Sequence, residues 1–249
     1  MNEKQGHNND RLEHTERTSF FAAVLQTLVF PLSPSGITTI VVFIFLPMLL
    51  NLVMSLIPFG GLLLISVRII IGGYFYWYLI NCVHKSAIGE KRAPNVVAED
   101  PDYDVSSMLW QIFQVLVPLL LCIGPAVAYW GAKKQTDFYF WLILCCGGFL
   151  LPVSLLSVMM HDSLSGLNPL ILLISIVRGF VSYLGVVAMF YLPLVIFGVL
   201  LAMARPKGPA SALAMDVFFK FAGYYLLMVA AHVIGRFYYI NKDKLDWEV

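Results

Sequence analysis

Six stretches of this chain are each long and apolar enough to cross a lipid bilayer, and that restricts the fold more than any motif does. They cover residues 37–57, 61–83, 105–130, 137–160, 181–204 and 216–240. A hydrocarbon core about 30 Å thick takes roughly 20 apolar residues as a helix. Inside it no water can satisfy a bare N–H or C=O, so a spanning segment is a helix or part of a closed barrel. Runs of this length, without the alternation of barrel strands, predict an all-α polytopic bundle of about six transmembrane helices. Composition agrees. The chain is 59% hydrophobic and 12% charged with a mean hydropathy of +0.80, whereas soluble domains are roughly a quarter charged.

Two further apolar segments are placed at the membrane surface. Residues 18–32 (TSFFAAVLQTLVFPL) are too short to span and are stopped by Pro31; they predict an interfacial helix. Residues 169–204 form one apolar run of 36 residues, which as a single helix would reach about 54 Å, well past a ~30 Å core. The economical division is a second short helix at 169–180, interfacial or re-entrant, a bend at Gly179, and the fifth span from 181. Residues 1–17 are polar and predicted disordered. The helical domain then occupies 18–240, and 241–249 form a charged tail. The polar N-terminus has no short apolar core or small-residue cleavage site. It does not read as a signal peptide, and the first span is expected to act as the uncleaved insertion signal.

Orientation is read from Lys and Arg. With six spans, both termini share a side with the 84–104 loop and the 161–180 segment. Lys4, Arg11, Arg17, Lys85, Lys91, Arg92, Arg178, Arg236, Lys242 and Lys244 lie there, against Lys133, Lys134, Arg205 and Lys207 opposite. Ten against four predicts both termini in the cytoplasm of a cell with an inner membrane. The aromatic runs 74–78 and 237–239 then fall at the cytoplasmic headgroup level.

The candidate intramembrane polar site comprises Arg68, Asn51, Gln111, Gln114 and His232. Arg68 lies about 10 Å into the second span at 1.5 Å per residue, where a cation costs roughly 2.5–3.5 kcal/mol unless it snorkels. Two readings stand: a cation facing the bundle, paired with helix-end carbonyls, Asn51 or an anionic substrate, or a side chain reaching to the near headgroups. The other four fit interhelical hydrogen bonding or, alternatively, a polar path. No second carboxylate lies deep in a span, which argues against proton relay. Pro47, Pro118, Pro125, Pro152 and Pro193 fall within spans and can kink helices around a cavity.

Catalytic and metal signatures are missing from the sequence. The five histidines form no HExxH, and there is no nucleophile elbow, Walker A sequence or dinucleotide fingerprint. Asp100, Asp102 and Asp104 lack the Gly and distal Glu of a calcium loop. Cys82, Cys122, Cys145 and Cys146 form no CxxC pair and read as packing residues. No cofactor is expected, and a net charge of +1 suggests no nucleic-acid partner. Oligomeric state is not readable.

The polar run 84–104 (HKSAIGEKRAPNVVAEDPDYD) is basic first and acidic last. Its basic half suits the end of the second span, and Asp104 suits the N-cap of the third. Its residues Ser86, Ala87, Gly89 and Glu90, with Pro101, Asp102, Tyr103 and Asp104, follow an FF-x10-PL start at residues 20–32. The chain closes on Tyr239, Asn241, Lys244, Leu245 and Trp247. This order resembles a group of bacterial and archaeal multi-pass membrane proteins of unknown function, loosely Yip-like, and covers most of residues 20–249. The Asp-Leu-Tyr-Gly-Pro signature of eukaryotic Yip proteins is absent. The resemblance implies a fold and an inner-membrane location without an activity.

The leading functional expectation is a non-catalytic scaffold or accessory subunit that meets a protein partner on the cytoplasmic face, through Ser86, Gly89, Glu90, Pro101, Asp102 and Asp104. The alternative is a transporter or channel for a small molecule or lipid, with Arg68 facing the cavity.

Overall fold

A computed structural model describes residues 20–57, 60–95, 105–205 and 208–245. Every regular element among them is a helix: α1 (Phe20–Val29), α2 (Pro34–Met54), α3 (Gly60–Ala87), α4 (Val105–Lys133), α5 (Phe138–His161), α6 (Pro169–Arg178), α7 (Phe180–Met203) and α8 (Pro209–Leu245). Short 3-10 turns at Phe30–Leu32 and Leu164–Leu167 precede α2 and α6. Six of these helices are long and apolar enough to cross a membrane, and α6 is a short apolar helix. The chain is thus a multi-pass membrane protein of all-α architecture.

Local chemistry sets the starts. Ser33 accepts from the Gly36 N–H at 3.3 Å ahead of Pro34. Asp137 accepts from the Phe140 N–H at 3.1 Å, and Asn168 accepts from Leu170 at 3.0 Å ahead of Pro169. Each side-chain oxygen satisfies one of the bare donors of a first turn, and proline at the first helical position gives up none that is needed. Hydroxyls inside spans are satisfied along their own helix: Thr39 donates to the Ser35 carbonyl at 2.8 Å and Ser154 to that of Leu151 at 2.9 Å. The five intraspan prolines sit within continuous helices.

Gly179 separates α6 from α7, at the bend expected there. The sixth span departs from the expected 216–240, because α8 continues from Pro209 to Leu245. Its C-terminal extension is held by packing: Asn241 is 2% and Leu245 3% exposed. Residues 241–245, read from sequence as tail, therefore extend the helix. At 1.5 Å per residue α8 is about 55 Å long and projects beyond a ~30 Å core.

α2 and α3 form an antiparallel pair, with Phe43 edge-on to Phe75 at 5.0 Å between centroids. α4 and α5 form a second, in which Cys122 Sγ lies 3.6 Å from Ser154 Oγ. α3 and α8 run parallel: Phe75 meets Tyr224 at 4.7 Å, and further along Ser86 meets His232 at 2.7 Å. Parallel packing of the second and sixth spans is what an even number of crossings between their starts requires. α5 is the most enclosed span and α7 the least, with 56% and 6% of their apolar windows buried. The core is concentrated toward the face at which α3, α5 and α8 end, around Tyr78, Cys82, Val83, Leu156, Val229 and Phe237.

Candidate functional site: a polar layer at one face of the bundle

The last turn of α3 meets α8 through an enclosed polar contact, more than three turns before the end of α8. Ser86 and His232 are each 1% exposed, with Ser86 Oγ and His232 Nδ1 2.7 Å apart. Phe30 stacks on the imidazole at 4.1 Å between centroids and 18° between planes. Serine and histidine at this distance are the ingredients of an activated nucleophile. Here, however, the ring is roofed by an aromatic and both partners are sealed in the core. The arrangement fits a hydrogen-bonded clamp between two parallel helices. The clamp is made possible by Gly235, whose Cβ would stand 2.3 Å from the Val83 carbonyl oxygen. His232 Nε2 is buried without a hydrogen-bond partner among the described residues.

One turn beyond His232, Arg236 Nη1 donates to Gln26 Oε1 at 2.8 Å. Tyr225 donates to the Leu28 carbonyl at 2.6 Å. Together with the Phe30 stack, these contacts hold α1 across α8. Leu25 and Val29 point away from the bundle, 62% and 56% exposed, as a helix lying in the membrane surface requires. Beside this junction a cavity of about 360 Å³ opens between α1, the start of α7 and α8; Thr27, Val181, Ser182, Met189, Arg236 and Asn241 are among its lining residues.

The sequence candidates do not converge on one site. Gln114, 3% exposed, donates to the Asp162 carbonyl at 2.8 Å and ties α4 to the end of α5. Gln111 keeps a buried Oε1 with no partner among the described residues. Arg68 donates to Asn51 Oδ1 at 2.8 Å, which realises one of its expected pairings. That pair lies near the opposite ends of α2 and α3, about 27 Å along α3 from Ser86 at 1.5 Å per residue, and Arg68 is exposed on the bundle flank.

The 84–104 run does not begin as a surface loop. Residues 84–87 are the last turn of α3, with Ser86 and Ala87 buried. Gly89 has φ +90°, a backbone conformation that glycine adopts without strain, and a Cβ there would stand 2.8 Å from the Tyr239 ring. Ser35 Oγ donates to the Ala93 carbonyl at 2.6 Å, and Tyr78 donates to that of Pro94 at 3.3 Å. Both contacts fold the connection back on the bundle. Glu90 pairs with Lys85 at 3.4 Å in an exposed position. Pro101, Asp102 and Asp104, with the capping role expected of Asp104, lie outside the described residues, as do residues 1–17.

Among the described residues no group of three His, Cys, Asp or Glu side chains is placed to hold a metal, and the four cysteines form no disulfide. Arg236, Gln26 and Asn241 are site residues that sequence reasoning missed. Arg236 entered it only as a positive charge, although its place four residues after His232 puts both on one face of α8.

No protein-family model, curated protein or solved structure matches the chain.

Proposed function

We propose that the protein is a non-catalytic scaffold or accessory subunit of a membrane complex, resident in the inner membrane of a bacterial cell with both termini cytoplasmic. One observation carries this over the transporter reading. Arg68, the cation that a transport path would need, is engaged by Asn51 on an exposed flank and is not among the residues lining the cavity beside α1. The polar residues of the spans are used to fasten helix to helix: Ser86 to His232 and Gln114 to the end of α5.

Membership of the Yip-like multi-pass group is part of the same proposal and rests on Ser86, Ala87, Gly89 and Glu90. Two of them are structural here, since Ser86 clamps α8 and Gly89 receives Tyr239. The residues left to meet a partner are the outward ones around them: Ile88, 68% exposed, with Glu90, Lys91 and Arg92. An apolar side chain among charged ones suits a protein contact at the membrane surface.

Photocrosslinking amino acids at Ile88 and Lys91 test the reading in intact cells. A discrete crosslinked partner, absent when the probe is moved to the lipid-facing Leu200, is the expected result. Recovery of lipid adducts alone at all three positions refutes it.

A further inference from the structure

We infer that the cavity between α1, α7 and α8 is a binding site for one phospholipid with a net-negative headgroup, whose phosphate is held by Arg236. The inference is independent of the scaffold reading.

The chemistry of the lining points to an amphiphile. At about 360 Å³ the cavity has room for many waters, and each ordered water needs two to four polar partners. The walls are chiefly Val181, Val186, Met189, Val233 and Phe237, which offer none. Hydrocarbon is the natural filling of such a space. The polar side chains Arg236, Thr27, Ser182 and Asn241 also reach it.

Arg236 supplies the charge selectivity. Its Nη1 is spent on the neutral Gln26 amide, while its Nε is buried with no hydrogen-bond partner among the described residues. No described carboxylate forms an ion pair with it. A guanidinium that lines a cavity, with an orphan N–H and no described carboxylate to compensate its charge, matches a phosphodiester, which accepts from a fork of donors. A net-negative headgroup neutralises that charge, whereas a zwitterionic one brings its own cation. Position agrees. The site lies at the start of α7 and near the end of the apolar part of α8, next to Tyr238, Tyr239 and the surface helix α1. That is headgroup depth for a spanning helix, so the lipid enters from the surrounding bilayer with its tail against α7.

Native mass spectrometry of the full-length protein in detergent, titrated with a phosphatidylglycerol or with a phosphatidylcholine of the same acyl chains, reads the site. One phosphatidylglycerol should bind about tenfold more tightly than the phosphatidylcholine. Arg236→Gln should remove that preference. Gly185→Leu should abolish the adduct by filling the cavity; a Cβ at Gly185 meets no atom within 4 Å, so the fold tolerates it. Gln26→Ala, which frees Arg236 without discharging it, should keep the adduct. Equal binding of the two lipids, persistence of the preference in Arg236→Gln, an unchanged adduct in Gly185→Leu, or its loss in Gln26→Ala overturns the assignment.

Discussion

Gly235 lies where two parallel spans come close, and a single methyl there has nowhere to go. A Cβ would stand 2.3 Å from the Val83 carbonyl oxygen and 2.7 Å from Ser86 Cβ, so Gly235→Ala must push α3 and α8 apart. Overpacking of this kind costs about 1–3 kcal/mol. The melting temperature in detergent should fall for Gly235→Ala and hold or rise for Gly198→Ala. The latter adds its methyl to open space and removes the helix penalty of glycine, up to ~1 kcal/mol. The clamp beside it makes a second prediction. Ser86→Ala leaves His232 Nδ1 buried and unpaired, at about 1–3 kcal/mol. Replacing His232 by Phe in the same chain removes the stranded group, so the double variant should be more stable than Ser86→Ala alone. Two additive losses would show that the 2.7 Å contact contributes nothing.

Asp137 gives a pH dependence at the same scale. The hydrogen bond from the Tyr129 hydroxyl, followed by that from the Phe140 N–H, holds its carboxyl below the ordinary aspartate range. A lowered folded-state value means that the ionised form stabilises the fold. The contribution is complete above the unfolded-state value near 3.9 and disappears as pH falls through the lowered one. The wild-type protein should therefore melt above Asp137→Asn at pH 6 to 7, and the gap should close in acid. A gap independent of pH would leave only the neutral cap.

At the scale of elements, α1 is a strap laid over α8 rather than a free amphipathic segment. Gln26 on Arg236 and the Leu28 carbonyl on Tyr225 fasten its inner face, and Phe30 in the turn that follows stacks on His232, while Leu25 and Val29 face outward. Phe30→Ala removes the roof of the clamp and should cost about 3–5 kcal/mol in unfolding free energy, the usual range for a buried aromatic. Spin labels at Leu25 and Val29 should report headgroup depth in nanodiscs. A label at Leu25 buried as deeply as one at the mid-span, outward-facing Leu192 would rule out the surface placement. The two chain halves share an element order of short helix, span and span, and both contain a span with a Leu-Pro step. They dock differently, however: α1 contacts α8, whereas α6 lies on both α5 and α8.

For the whole molecule the arrangement is lopsided. Tight packing and most satisfied polar groups gather toward the face where α3, α5 and α8 end, while α7 is almost wholly lipid-facing. With six crossings both termini lie on one side, and the ten-to-four distribution of Lys and Arg predicts the cytoplasm. A phosphatase reporter that needs the periplasm should be silent at Val249 and active in the 133–135 turn; the reverse pattern would invert the bundle.

The sequence by itself determined the six spans, the two short helices beside them and the break at Gly179, because a bilayer admits few solutions. Run length counts crossings, and a proline or glycine marks where a run must bend. It also narrowed the partners of Arg68 to a set containing Asn51, since the connection between their helices is short. Only the tertiary structure decided the rest. Ser86 and His232 are 146 residues apart, and Gln26 and Arg236 are 210 apart. Helical spacing fixes which side of a helix such a residue occupies and is silent about which helix lies opposite. In an apolar bundle most pairings bury similar surface, so the choice falls to close approaches such as that at Gly235 and to the few hydrogen bonds that lipid cannot replace. For the same reason Ser86, written at the edge of a polar run, proved to be core.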